Sequence, residues 1–595
     1  MDFFKKKYDY IIVGGGIGGL FLAYKLCEME NKKILLVEKS AIMGGRIHTY
    51  KSHIHSIQYE VGAARFNENH TKLITLIKDL GLLDEVEEIT NVSDHVLRNE
   101  NCKTNTCTTY NLRKDIKDEI DELSYDELIK KVLREFSILD KSEYNYLMNI
   151  TFYQYCVEVL GNEGALFLKD SFGYSAEFIN GNAYNMIKLF ENNFDNIDIQ
   201  YYVLKNGLSS IVERILIKLG KCDNVDIKLK TNIVDINLNT ENYYYIETGD
   251  KSYYYGVNII LTIPQKSLLE LDILSKNPKI NQQLRCVVPV PLCRIYGLYD
   301  KCWYKDIPKT TTDSDIRFFI PINYEEGNAL VMLTYSDSLE AERWRNIYKL
   351  GDEQLVKTIN RGLKEMFPKV NIEENPKYIN AHYWGEGCHL WGVGCNPDTL
   401  YEEIMQPIKN KKLYIGGECY SMNQGWIEGS LETCYSILMK LDVGNYDVVK
   451  NKSKSLSIVK EVVDNSKEID DVVEDKKYTI NEIMDINKKN KDKLIILDLQ
   501  ELLDSGSYND LDGEIVEYTK MGVNKRVYSI KEWYEKHPGG PRNLDAGINA
   551  NEYYLDSTKS EMKPIELFIQ MEHGEHVIKR YLLSENKYVK YMGYM

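Results

Sequence analysis

The chain has 595 residues, of which 43% are hydrophobic and 28% charged, with a formal net charge of −16. That length accommodates roughly two to four domains with cores of their own. The acidic balance disfavours a nucleic-acid partner, and the sequence contains no run of about 18 apolar residues that could cross a membrane.

The first predicted elements lie in "YDYIIVGGGIGGLFLAYKLCEMENKKILLVEKS". Tyr10 to Val13 read as a short buried strand, Leu20, Ala23, Tyr24 and Cys27 recur at helical period, and "KILLVEKS" reads as a second buried strand ending at Glu38. Between strand and helix, Gly14, Gly16 and Gly19 have the G-x-G-x-x-G spacing. Each has a physical role: Gly14 permits the tight turn, Gly16 lets the backbone approach a pyrophosphate, and Gly19 lets helix and strand pack closely. The helix N-terminus offers unpaired N–H groups to phosphates, and Glu38 can accept hydrogen bonds from ribose hydroxyls. A glycine turn between any strand and helix is the plain alternative. Here the flanking strand, the helix and the acid at the right distance agree on a dinucleotide cradle.

Further along stand "AIMGGRIHTY" with Gly44, Gly45 and Arg46, then "YEVGAARF", "VLKNGLSSIVERI", "LKTNIVDI", "NIILTIPQKSL" and "KLYIGGECYSMNQGWIEGSLETCYSIL". In this order they resemble the landmarks of the flavin-containing amine oxidase family over most of residues 8–442. The resemblance implies an α/β fold: a Rossmann-type FAD domain into which an α+β substrate domain is inserted. FAD-binding parts are expected near 1–75, 200–265 and 386–445, and substrate-domain parts near 76–199 and 266–385. It also implies that Gly44, Gly45 and Arg46 pass close to the flavin, that Ile233 flanks adenine, and that Gly417 and Glu418 meet the ribityl-phosphate side. The turn from Gln424 to Ser430, with Trp426 and Ile427, then starts a helix whose backbone faces the flavin.

Oxidation of an amine by a flavin needs little acid–base machinery; the protein orients the substrate and excludes water. The family sets an aromatic pair beside the substrate. Trp426 falls at one of those positions and His389 near the other, with Trp391 or Trp384 as substitutes unless they simply pack in the core. Cys388, in "GEGCHLW", matches the cysteine that one branch of the family bonds to its flavin, whereas other branches hold FAD noncovalently. Arg294, in "PLCRIYGLYDKCWY", stands where the family often has a lysine. An arginine there is suited to a substrate carboxylate or to an acid of the protein.

Residues 446–475 carry many charges and no Gly or Pro and read as a solvated helix or linker. Beyond them, "LIILDL", "KRVYSIKEWYEKHPGG" and "PIELFIQMEHGEHVIKRYL" resemble cytochrome b5, which implies a small α+β domain over 476–595 holding haem b. His537, set before Pro538, Gly539 and Gly540, would be one axial ligand, and His573 the other, with His576 as the alternative. An insertion before "KRVYSI" and a long interval between the histidines depart from that pattern.

The expected protein is therefore an FAD-dependent oxidoreductase of the amine oxidase type acting on an amine, polyamine or amino acid. It would exchange electrons with its fused haem domain, a redox partner or oxygen. A flavin-dependent desaturase or porphyrinogen-type oxidase and a non-catalytic flavin- or haem-binding redox protein are the alternatives. Scattered cysteines and a start without an apolar signal segment suggest a reducing, cytoplasmic setting, or a virion if the source is a large DNA virus.

Overall fold

The computed structural model describes residues 7–443, apart from 30, 53–56, 91–92, 103–108, 120–123, 141, 194–198, 240–242 and 374; beyond these it describes residue 487 and three strands. The chain divides into two compact units, Met1–Lys450 and Asn451–Met595.

In the first unit the continuous apolar runs at the front form the centre of a sheet. Strand Lys7–Val13 pairs in parallel with Ile34–Val37 on one side and with Tyr253–Leu261 on the other. Val225–Lys228 extends the sheet beyond Ile34–Val37. Past Tyr253–Leu261 it continues through Tyr244–Thr248 to Ile233–Leu238, while Leu413–Ile415 pairs with the far end of Tyr253–Leu261. All four residues of Ile34–Val37 are buried, as a parallel strand covered on both faces requires. Helix Ile17–Leu26 is buried at every position and packs against helix Ile427–Lys440. Their contact is made by small groups: a Cβ on Gly18 would lie 2.9 Å from Ser430 Oγ, and Cys434 Sγ reaches Gly18 O at 3.5 Å.

A second sheet of seven strands runs in the order Tyr378–Trp391, Val287–Tyr299, Ala329–Asp337, Phe318–Pro321, Thr310–Thr312, Asp94–Leu97, Glu100–Cys102. Beside it, helices Tyr125–Ser137, Phe152–Phe172 and Ala183–Asn193 share one core, in which the rings of Phe152, Phe178 and Phe190 meet at 4.9–5.9 Å. Thr151 and Gln154 form a capping box at the start of Phe152–Phe172. Gly161 interrupts that helix with φ +76°, and Gly173 ends it with φ +87°. A Cβ on Gly173 would sit 2.3 Å from Phe318, so only glycine lets the chain turn there and pass Tyr174–Glu177 along the sheet.

Among the described residues ten cysteines are free and Cys102 is disulfide-bonded, and no helix is long and apolar enough to cross a membrane. In the second unit, strand Lys525–Ser529 pairs antiparallel with both Leu494–Asp498 and Lys590–Tyr594. His537, His573 and His576 lie outside the described residues.

Candidate functional site

A single cavity of about 890 Å³ runs through the first unit, from the glycine turn to the second sheet. At its first end, Gly14 has φ +109°, and a Cβ on Gly19 would lie 1.9 Å from Gly14 O, so both positions need glycine to bring helix and strand together. A Cβ on Gly16 would meet no protein atom within 4 Å; it would project into the cavity. The second glycine pair is stacked on the first. Gly44 N donates to Gly15 O at 2.8 Å, Gly44 and Gly45 have φ of +115° and +57°, and a Cβ on Gly45 would stand 3.2 Å from Gly16 Cα. Ile233 lines the same end.

Glu38 also lines it, and its carboxylate is already engaged. Oε2 accepts the Gly15 N–H at 2.7 Å and Oε1 accepts the Ser40 N–H at 2.7 Å as well as the Ser40 hydroxyl. A carboxylate has about four acceptor positions and three are taken, so about one remains for a ribose hydroxyl. Backbone free of side chains, a helix N-terminus and a nearby acid are what a dinucleotide needs, so these residues fit one.

In the middle of the cavity an ion cluster joins distant segments. Arg46 Nη1 donates to Glu418 Oε2 at 2.7 Å and to Gly387 O at 3.0 Å. Glu418 Oε1 accepts from His389 N at 2.9 Å and Gly425 N at 2.8 Å, and Oε2 lies 3.0 Å from His389 Nδ1. Burial alone would raise the Glu418 carboxyl, but Arg46 and His389 outweigh it and hold it well below the usual carboxylate range. Burial likewise opposes a charged His389, yet Cys419, Glu418 and Glu386 around it hold its imidazole well above the ordinary value. His389, Glu418 and Cys419 bring ligating atoms within 4.8 Å of one another. The sulfur lies 3.2 and 3.3 Å from the two ring nitrogens, so it stands over the ring, and Arg46 already occupies the carboxylate. That packing suits an ion pair better than a bound cation.

Strand parity decides which predicted residues reach the cavity. Side chains alternate along a strand. On Tyr378–Trp391, Trp384, Glu386, Cys388 and Leu390 face the cavity, whereas His389 and Trp391 do not line it. Both are fully buried behind the wall. Trp391 donates its backbone N–H to Gln424 Oε1 at 2.8 Å and its indole N–H to Ser421 O at 2.9 Å. Its surroundings make it a core residue that braces the turn before Trp426, and the His389 imidazole meets Glu418 behind the wall instead of lining the cavity. Trp384 and Trp426 are the two tryptophans on the wall. Trp384 donates its indole N–H to Val61 O at 3.0 Å, and Trp426 packs edge-on against His70 with centroids 4.7 Å apart. Gly417, Glu418 and Ile427 also line the cavity. Cys388 lines it too, and burial, reinforced by Glu418 and Glu177, pushes its thiol well up.

The far end is charged in a way the sequence did not announce. Arg294 faces the cavity, but its Nη1 donates to Glu60 O at 3.0 Å and Gly62 O at 2.5 Å, and its guanidinium lies 4.2 Å over the Tyr335 ring. It therefore fastens the segment that carries Arg65. Arg65 and Lys309 also line this end, and burial together with Arg65 pulls the Lys309 ammonium down to about 7. Tyr174, Glu177 and Asp337 complete the chamber. Burial and the neighbouring Asp337 push the Glu177 carboxyl up to about 8. Arg65 stands in "YEVGAARF", where it passed as strand sequence. Lys309, Glu177 and Asp337 sit in segments with no motif, and only the tertiary fold joins them.

Comparison with known proteins agrees with this geometry. The family described as flavin-containing amine oxidoreductase matches residues 17–435. Protein R188 of Acanthamoeba polyphaga mimivirus is 25% identical over 482 residues, covering 73% of this chain and 94% of its own. An L-amino-acid oxidase of Demansia vestigiata is 22% identical, covering 71% of this chain and 84% of its own. Among solved structures, wild-type putrescine oxidase bound to putrescine superposes with a TM-score of 0.58 at 15% identity, covering 74% of this chain and all of its own.

Proposed function

The chain belongs to the flavin-containing amine oxidoreductase family and is an FAD-dependent oxidoreductase; from that premise we propose that it oxidises an amine that carries a carboxylate, an amino acid, to the corresponding imino acid. The observation that supports this choice is the cation pole at the end of the cavity remote from the glycine turn, where Arg65, Lys309 and Arg294 line one chamber. A carboxylate finds charge-assisted donors there.

Gly14, Gly16, Gly19, Glu38 and Ile233 would hold the nucleotide of FAD, and Gly44, Gly45, Arg46, Gly417, Trp426 and Ile427 its flavin end. When bound, FAD accepts the hydride equivalent released from a C–H beside nitrogen. Arg65 and Lys309 hold the substrate carboxylate, while Arg294, already tied to Glu60 and Gly62, keeps Arg65 in place. Trp426 and Trp384 supply the aromatic flanks of the chamber, and the apolar wall of Leu292, Met332 and Leu390 keeps water from the reacting carbon. Arg46 and Glu418 keep the middle of the cavity rigid. The test is anaerobic mixing of the holoenzyme with a panel of L-amino acids and the matching decarboxylated amines. Loss of visible flavin absorbance with the amino acids and not with the amines is expected; reduction by the amines alone would overturn the carboxylate reading.

The second unit extends the proposal to haem b. Support comes from the His-Pro-Gly-Gly motif at His537 and from the Phe568–His573 spacing, which match the two ligand segments of cytochrome b5. Both histidines lie outside the described residues, so no step is derived through them. A reduced-minus-oxidised spectrum of protein made with haem supplied should carry the bands of a bis-histidine b-type centre, and His537→Ala should abolish them. A spectrum with flavin absorbance only would remove haem from the reading.

A further inference from the structure

The proposed reaction uses the cation pole and leaves one group of the same chamber without a role. Glu177 follows the Gly173 turn and lines the cavity. Its Oε2 is sealed from solvent and finds no hydrogen-bond donor in the protein. Leaving a buried carboxyl oxygen unpaired is costly, so a group in that state points to a missing partner.

Its surroundings say what kind of partner. Asp337 accepts the N–H groups of Ser175, at 3.1 and 3.0 Å, and of Ala176, at 2.6 Å, and so holds the short segment Ala176–Ile179 on which Glu177 sits. Two acids are thus fixed close together in a buried place, and their mutual repulsion is part of what raises the Glu177 carboxyl to about 8. The Arg317 guanidinium, which acts on Asp337 through space, makes its hydrogen bonds to the Gly173 and Lys169 carbonyls, at 2.8 and 3.5 Å. A cation held against the part of the Glu177 side chain that lines the cavity would offset the repulsion between the two acids. Cations and acids belong to one chamber: the Tyr174 hydroxyl is acted on by Arg65, Arg294 and Glu177 alike. Leu189, Phe318, Ile320 and Met332 line it with apolar surface suited to methylene groups.

We propose that Glu177, backed by Asp337, selects substrates that carry a second cationic group, so that the preferred substrate is a basic α-amino acid whose side chain ends in an ammonium or guanidinium. This rests on the amino-acid reading above. The α-carboxylate goes to Arg65 and Lys309, the methylenes to the apolar wall, and the terminal cation to the Glu177 carboxylate.

The holoenzyme is assayed with L-lysine and L-norleucine, which differ only in the terminal amine. Wild type should favour lysine in kcat/KM, and Glu177→Gln should reduce that preference by roughly 10- to 100-fold, the range of a charge-assisted hydrogen bond, chiefly through KM for lysine. The visible flavin spectrum reports whether the variant is intact, and Glu177→Asp, which keeps the charge, should retain part of the preference. Equal use of the two amino acids by wild type, or an unchanged ratio in an intact Glu177→Gln, overturns the assignment. If no amino acid reduces the flavin, the carboxylate reading fails by itself, and cadaverine against pentylamine scores Glu177 instead. A diamine preference that Glu177→Gln removes supports the assignment, and its absence overturns it.

Discussion

Arg46 and Glu418, 372 positions apart in sequence, meet at 2.7 Å across the middle of the cavity, and Glu418 also binds the backbone N–H and Nδ1 of His389. One carboxylate therefore locks the second glycine turn, the long strand of the second sheet and the turn before the last helix together.

Removing Arg46 while Glu418 stays should be strongly destabilising. Breaking a fully buried pair costs about 3–5 kcal/mol. The Arg46 side chain is 31% exposed, toward the cavity, so a loss below that range, about 2–3 kcal/mol, is expected for Arg46→Met. Thermal melts at neutral pH should show the loss, and a Tm within a degree of wild type would contradict it.

The same cluster sets a pH dependence. The Glu418 carboxyl is depressed, so its contribution is present above the ordinary carboxylate range and lost as pH falls well below it. His389 is raised, so its contribution is complete below the ordinary histidine value and lost as pH climbs through its higher native value. His389→Gln should remove the alkaline decline in Tm while leaving an acid decline. A wild-type Tm flat on the alkaline side would contradict this.

The two cradle glycines should fail differently. Gly19→Ala drives a methyl into the Gly14 carbonyl, and overpacking of this kind typically costs about 1–3 kcal/mol. Gly16→Ala meets no protein atom within 4 Å, so its Tm without cofactor should match wild type while its FAD affinity drops. Melts with and without added FAD separate the two, and equal apo-protein destabilisation would refute the distinction.

Cys388 faces the cavity with its thiol held protonated by burial and by Glu418 and Glu177. Thiols act as nucleophiles through the thiolate. Flavin should therefore be released into the supernatant on acid precipitation, and flavin retained in the pellet of wild type but not of Cys388→Ala would show a covalent bond.

Lys309, with its ammonium near 7, should make substrate affinity pH-dependent. Below that value it is charged and attracts a carboxylate; above it the attraction fades. KM for an amino acid should rise as pH passes from 6 to 8, by about tenfold at most, and Lys309→Met should flatten the rise. An unchanged profile in the variant would exclude Lys309 from the carboxylate site.

The nucleotide end was legible because its demands are local. Gly14, Gly16, Gly19 and Glu38 fall within one strand–helix–strand run, and spacing alone conveys their geometry. The place of Trp426 on the cavity wall followed from its neighbours in the turn. His389 and Trp391, expected beside the substrate, do not line the cavity, because proximity in sequence says nothing about side: on a strand, the neighbour of Cys388 faces away from whatever Cys388 faces. Arg294 was placed at the cavity, but its guanidinium serves carbonyls of another segment. Arg65, Glu177, Lys309 and Asp337 come from four separate stretches and share no periodicity; long-range contacts assemble them, among them the hydrogen bonds of Asp337 to Ser175 and Ala176 and of Arg294 to Glu60 and Gly62.

The small-residue contact between helices Ile17–Leu26 and Ile427–Lys440 bears on how the protein is made. The first glycine turn leaves the ribosome early, but the helix that seats against it and strand Leu413–Ile415 arrive only when almost all of the first unit has been synthesised. Until then a helix buried at every position lacks one of its neighbours, and nascent chains stopped before residue 413 should be chaperone-bound or insoluble rather than partly active.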